Sequence, residues 1–424
     1  MSTRLQFGRS KRRATRLKKA VLASFYCTAP EVEAHFAGFD LADWQRILCW
    51  LDISGLALYL LDRLGELGLE RCLPESIRLR FRQDLEDNRV RTKALLAEAG
   101  AISHAMNRCG IAFALLKGIT LMPDSVPDCA LRWQIDLDFL VAAGHATTAR
   151  HILMTFGYTL HAVCGNSMEF TAGQSSAPDI RKIYRVHSQR SLELHMLSTA
   201  PGRSGQRIDR LSRAQVREFS DIPIPTLSPA DMLVQQSVHL FKHLCGEHTR
   251  VSWVLEFWRH VQARRGEATF WAEVESVVAL EPQTEIALGA ALLLASLTFG
   301  AIEENAWARA AIDKLPQNVR LWLETFSMRV LLADSPGNKL YLILRQELRN
   351  ETSSRSSIRK LVFPTHLPPP ITRGDPGEQL RRRLARYRTE IGFLFVRLQF
   401  HIVEGLRYAI ELSRWQRRLT EMSR

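Results

Sequence analysis

Gln134-Ile-Asp-Leu-Asp-Phe-Leu-Val141 is the stretch on which the reading of this chain turns. Its alternation is that of a β-strand, and side chains two apart on a strand share a face. Asp136 and Asp138 therefore point the same way. Ile135, Phe139, Leu140 and Val141 around them are those of a largely buried strand. Two neighbouring carboxylates repel, and one would take up a proton unless a cation lay between them. A hard, oxygen-seeking ion, Mg²⁺ or Mn²⁺, suits the pair.

The flanking segments supply further polar groups. Ile111-Ala-Phe-Ala-Leu-Leu116 reads as a short buried strand ending at Lys117-Gly118. Glycine there lets a ligand approach the backbone, and Lys117 or Arg132 can neutralise phosphate oxygens. Pro123, Asp124, Pro127 and Asp128 mark a loop. Ala146, Ala149, Leu153 and Phe156 predict a helix that stops at Gly157, and Tyr158–Val163 and Ile183–His187 read as strands separated by a Gly/Ser-containing stretch. In the last strand, Ser191-Leu-Glu-Leu-His-Met-Leu197, Glu193 and His195 share a face, and Pro201-Gly202 closes it. Should this strand pair with 134–141, three carboxylates converge. Such a group can hold two metal ions for phosphoryl or nucleotidyl transfer.

Outside this region the three- and four-residue apolar steps of helices prevail. Ile47, Leu48, Leu51, Leu58, Leu61 and Leu64 carry one stripe, and a long helix starts at Pro74 and runs to about Arg108. Ser228-Pro229 starts another helix. The predicted fold class is α+β, a small mixed sheet flanked by helical segments at both ends. The expected division is a basic tail at 1–28, a helical segment at 29–95, the α+β core at 96–225, a helical domain at 226–350, a Ser/Pro/Gly-rich linker at 351–377 and a basic helix or helix pair at 378–424.

Charge follows that division. The net +13 comes from the ends, +8 over residues 1–20 and +6 over 371–424, which leaves −1 for the 350 residues between. A basic end can follow phosphate backbones or anionic lipid. Nucleic acid is a conceivable but disfavoured partner; of the C-terminal segment, Phe393, Phe395, Phe400 and Ile402 are expected to dock the helix on the protein. With 46% hydrophobic and 24% charged residues the composition is that of a globular protein. The seven cysteines are scattered without a C-x-x-C pair, so a reducing, cytoplasmic setting is expected. Ile286–Ile302 is uncharged for 17 residues, and the expectation is a buried helix, not an integral membrane segment. Zinc on His239 and His243 is not expected, because further ligands are lacking.

Leu115 to Gly118, Arg132 to Val141, Gly157-Tyr158 and Leu192 to His195 together resemble the uncharacterised bacterial nucleotidyltransferase family of the polymerase-beta-like superfamily. The likeness runs over roughly 30–260 and, more weakly, into the Leu-Val-Phe-Pro stretch from Leu361. It implies that 96–225 is the nucleotidyltransferase core. It further implies that Asp136, Asp138 and Glu193 are the catalytic metal ligands, with Lys117, Gly118, Arg132 and His195 about the nucleotide. Histidines after the core, among them His239 and His243, would border the cleft. The chain has Gly118-Ile119 where the wider superfamily has Gly-Ser, and a longer gap before the acidic pair. The expected activity is metal-dependent transfer of a nucleoside monophosphate from a nucleoside triphosphate, ATP included, to an acceptor hydroxyl with release of pyrophosphate. The alternative is a catalytically degenerate module with a binding or regulatory role that uses its basic ends.

Overall fold

A computed structural model of the chain describes residues 2–173, 183–185, 189–197, 209–300, 302, 305–348, 361–364 and 380–422. The architecture is α+β. Its centre is a mixed sheet built from β1 (Phe113–Leu116), β2 (Asp136–Ala142), β3 (Thr159–Cys164), β4 (Ser167–Ala172), β5 (Arg190–Leu197), β6 (Gln215–Phe219) and β7 (Ile222–Thr226). The spatial order is β3-β4-β5-β2-β1-β7-β6. β2 pairs antiparallel with β1 and parallel with β5.

Alternation along the central strands sends two sets of side chains to two faces. Leu115, Leu137, Phe139, Val141, Leu192 and Leu194 face the second half of the long helix α5 (Glu75–Arg108) and α6 (Ala146–Thr155), where Ala99, Ile102, Met106, Ala149 and Leu153 complete one core. Ala114, Leu116 and Leu140 face the other way, into a larger core. That core is shared with α3 (Leu41–Ser54), α4 (Ala57–Glu66), α7 (Pro229–Leu244) and α8 (Val251–Ala263). α10 (Glu285–Phe299) lies within this helical region, with Ala290, Leu292, Leu294 and Ala295 buried. The window Pro282–Phe299 is long and apolar enough to cross a membrane, and 67% of it is buried inside the protein.

Three segments differ from the sequence reading. Residues 2–24 form helix α1, and Leu17, Val21 and Leu22 are buried; the eight cations obscured a three- to four-residue apolar spacing. Ser167–Ala172 is a strand, whereas Ile183–Arg185 is a turn whose Ile183 and Tyr184 are buried. Residues 186 and 187 of the expected strand lie outside the described residues. The β6–β7 hairpin extends the sheet beyond Pro201-Gly202, where the sequence reading closes the last strand, and β7 does so although Pro223 and Pro225 lack the amide donors of an ordinary strand. β7 tolerates them because it meets β1 at the single register pair Leu115↔Thr226, which asks few amide donors of it. Most of 351–377 also lies outside the described residues. α11 (Ala306–Asp313), α12 (Gln317–Leu331) and α13 (Tyr341–Glu347) follow the long buried helix, and one continuous helix, Leu380–Met422, closes the chain.

Candidate metal and nucleotide site

The parallel register of β2 and β5 sets Asp138 beside Glu193 and Asp136 beside Ser191. All four project from the sheet face opposite α5 and α6. Ligand atoms of Asp138, Glu193 and His195 lie within 4.8 Å of one another. His195 Nε2 is 3.1 Å from Asp138 Oδ1 and 3.4 Å from Glu193 Oε2. Asp136 is outside that set but lines the adjoining pocket of about 240 Å³, to which Asp138 also belongs. Of the three carboxylates expected to converge, the structure brings together Asp138 and Glu193, with His195 as the third member of the cluster, whereas Asp136 lies beside Ser191, one step along the same face.

Asp138 is the junction of the site. It is 3% exposed, and it also accepts a hydrogen bond of 3.1 Å from Lys117 Nζ. Burial pushes its carboxyl up, but the His195 hydrogen bond and the Lys117 ammonium outweigh that and hold it below the usual carboxylate range. Asp136 moves the other way: burial, then the neighbouring Asp138 charge, raises it. Two neighbouring acids are thus driven apart, one by burial and its like neighbour, the other by two cationic partners.

The backbone after β1 is shaped for close approach. Lys117 has φ 54°, a left-handed conformation uncommon for a lysine, and Gly118 follows with φ 54°. A Cβ on Gly118 would lie 2.1 Å from Gln134 Nε2, and Gln134 in turn donates to the Asp136 carbonyl at 2.6 Å. Glycine is favoured here by the positive φ, and any larger side chain would have to displace the Gln134 amide. Ile119 is buried in the core that faces α5, so its side chain packs instead of facing a ligand.

Arg132 and Lys117 line the same pocket, and both carry acidic partners. Arg132 Nε lies 3.2 Å from Glu256 Oε2, and the other oxygen of Glu256 accepts from the Tyr59 hydroxyl at 3.0 Å. Asn88, on α5, donates to the carbonyls of Ala130 and Arg132 and so fixes the loop that presents Arg132. Arg250 was not anticipated. Its guanidinium lies 4.6 Å from the centroid of Trp133 and 5.3 Å from that of Trp253. Among the described residues it has no carboxylate within ion-pair distance. Burial, reinforced by Arg132, pulls it down to about 10. His239 and His243 form the far wall with Trp253, their rings 4.6 and 4.3 Å from it, and burial holds His243 down at about 4. Both histidines are therefore neutral wall residues, which agrees with their expected place at the cleft. Glu256 is the residue that sequence could have flagged, since it is a lone acid in Val-Leu-Glu-Phe-Trp and calls for a buried cation. Nothing comparable marks Arg250.

No curated protein matches the chain. Among solved structures, an antigenic nucleotidyltransferase-like protein from Paracoccidioides brasiliensis aligns with a TM-score of 0.29 and 11% identity, over 46% of this chain and 91% of that one. Residues 40–300 match the family model described as uncharacterised nucleotidyltransferase. That span is more than half of the 424 residues and includes every strand of the sheet, and the chain belongs to this uncharacterised nucleotidyltransferase family.

Proposed function

We propose that the chain is a metal-dependent nucleotidyltransferase that moves a nucleoside monophosphate from a triphosphate to an acceptor hydroxyl. The observation that carries this reading is the position of Asp138, which joins a carboxylate–imidazole cluster to a pocket lined by Lys117, Arg132 and Arg250. The donors fit a hard dication: Asp136, Asp138 and Glu193 offer carboxylate oxygens, and His195 one nitrogen. When bound, Mg²⁺ or Mn²⁺ would neutralise phosphate charge and polarise the attacking oxygen. Asp136, Asp138 and Glu193 would hold it. Lys117 and Arg250 would bind the β- and γ-phosphates, with Arg132 held behind them by Glu256. Glu193 or His195 would take the hydroxyl proton as the acceptor oxygen bonds to the α-phosphorus. The bond from that phosphorus to the bridging oxygen breaks, and pyrophosphate leaves with its electron pair. Residues 96–225 would form the catalytic unit, and the helical segments would close the pocket over it.

The test is incubation of the purified chain with each common ribonucleoside triphosphate, labelled at the α-phosphate, with and without Mg²⁺ or Mn²⁺. Metal-dependent thermal stabilisation by one triphosphate, lost in Asp138→Asn and in Glu193→Gln, is expected together with label transfer to an acceptor in cell extract. Stabilisation that ignores metal, or variants that bind like the parent, would sink the proposal.

A further inference from the structure

The closing helix, α14 (Leu380–Met422), has two apolar faces. One is docked. Phe400, Tyr408 and Trp415 are buried, Trp415 Nε1 donates to Glu347 at 2.7 Å, and Arg397 pairs with Glu247 at 2.7 Å. The other is bare. Leu384, Tyr387, Ile391, Phe395, Leu398 and Ile402 recur at steps of three and four, and at about 100° per residue they fall on one stripe about 130° round the helix from the docked face. Ile391 is 66% and Phe395 67% exposed. Of the four residues expected to dock this helix, Phe400 does so, whereas Phe395 and Ile402 belong to the bare stripe. A contiguous exposed stripe about 27 Å long marks an interaction surface.

Charge decides what fits it. Arg381 and Arg388 are exposed along one edge of the stripe and Arg383 along the other, with no acid between Leu380 and Thr389. A parallel second copy would set these arginines against themselves. An antiparallel copy centred on the stripe would offer them Glu404, which is buried and already bonded to Arg407. The neighbouring body adds to the positive charge. Lys11 and Lys19 of α1 border a groove with Val396, Val403 and Arg407, so both basic ends of the chain meet at this helix. Phosphate contacts by nucleic acid would use the arginines, and base stacking at most Tyr387 and Phe395, leaving Leu384, Ile391, Leu398 and Ile402 in water. An apolar stripe edged by arginines matches an in-plane amphipathic helix, with apolar groups among acyl chains and guanidiniums at headgroup phosphates. We propose that α14 docks the protein, peripherally, on an anionic lipid surface.

The test is co-sedimentation of the full chain with vesicles of phosphatidylcholine alone and of phosphatidylcholine with phosphatidylglycerol in equal parts. Binding to the anionic vesicles only, weakened by added salt, is expected. Phe395→Asp should weaken it at least about tenfold, and Arg381→Gln with Arg388→Gln about thirtyfold. Equal binding to both vesicles, or to neither, would overturn the proposal. So would a concentration-dependent dimer broken by Phe395→Asp, which would assign the stripe to a second copy. A marked fall in the melting temperature of Phe395→Asp would point instead to a cover within the chain and overturn it equally.

Discussion

Replacing Arg250 with methionine separates binding from folding. Methionine keeps the apolar stem between Trp133 and Trp253 and removes the guanidinium. Burial pulls the Arg250 pKa down to about 10. A base depressed in the folded state holds its proton more tightly when unfolded. The cost is therefore complete at neutral pH and fades only as pH rises through 10, where the folded protein lets the proton go. At about 1.4 kcal/mol for each tenfold change in ionisation, the displacement costs at most about 3 kcal/mol. The two indole contacts return about 1–2 kcal/mol of that. Ligand-free Arg250→Met should therefore be as stable as the parent, or more stable by about 1–2 kcal/mol, in urea unfolding. If the guanidinium meets a triphosphate, its loss removes charge-assisted hydrogen bonds worth about 1.5–3 kcal/mol, so affinity measured calorimetrically with Mg²⁺ should fall ten- to about a hundredfold. A variant destabilised by more than about 2 kcal/mol that still binds nucleotide like the parent would refute the reasoning and make Arg250 a structural residue.

Other substitutions probe the frame around the site. Gly118→Ala sets a Cβ against Gln134 in a left-handed backbone, so a loss of about 1–3 kcal/mol in thermal unfolding is expected, with metal-dependent nucleotide binding weakened as Gln134 shifts. Trp415→Ala empties a site that is 1% exposed and packed 5.8 Å from Phe326, and should cost about 3–5 kcal/mol and raise proteolysis at the start of α14. Asp84, whose only ion pair is with Arg80 at 3.2 Å among the described residues, is pushed by burial up to about 6. An acid raised on folding contributes stability below its unfolded pKa and loses it as pH rises through 6. The difference between Asp84→Asn and the parent should thus grow in favour of the variant from about pH 4 to about pH 6 in urea midpoints; a constant difference would contradict it.

Much of the fold was legible because two periods are distinct. After the three- and four-residue spacing of the helix ending at Arg108, the short apolar run Ile111 to Leu116 located β1, alternation at 134–141 located β2, and Leu-Glu-Leu-His located β5. Ser167–Ala172 was missed because Ser-Met-Glu-Phe-Thr-Ala lacks the β-branched density of a typical strand, and Glu169 and Met168 are paired by tertiary register alone. The hairpin at 215–226 was hidden by prolines, and α1 by its cations. Of the site, Asp138, Glu193, His195, Lys117, Gly118 and Arg132 could be named from local pattern. Arg250 and Trp253 could not, since they come from the chain more than a hundred residues beyond β2 and carry no spacing that ties them to it.

Local sequence by itself determined which side chains share a face: a strand's two-residue period requires Asp136 with Asp138, and Glu193 with His195, whatever the rest of the chain does. Tertiary structure alone decided that β5 lies parallel to β2 in the register that sets Glu193 beside Asp138, leaving Asp136 beside Ser191. It also decided that α7 and α8 cover that face and bring Arg250 to it. The physical reason is that pairing and packing partners are chosen by burial of whole apolar faces, a sum over distant residues that no short stretch contains.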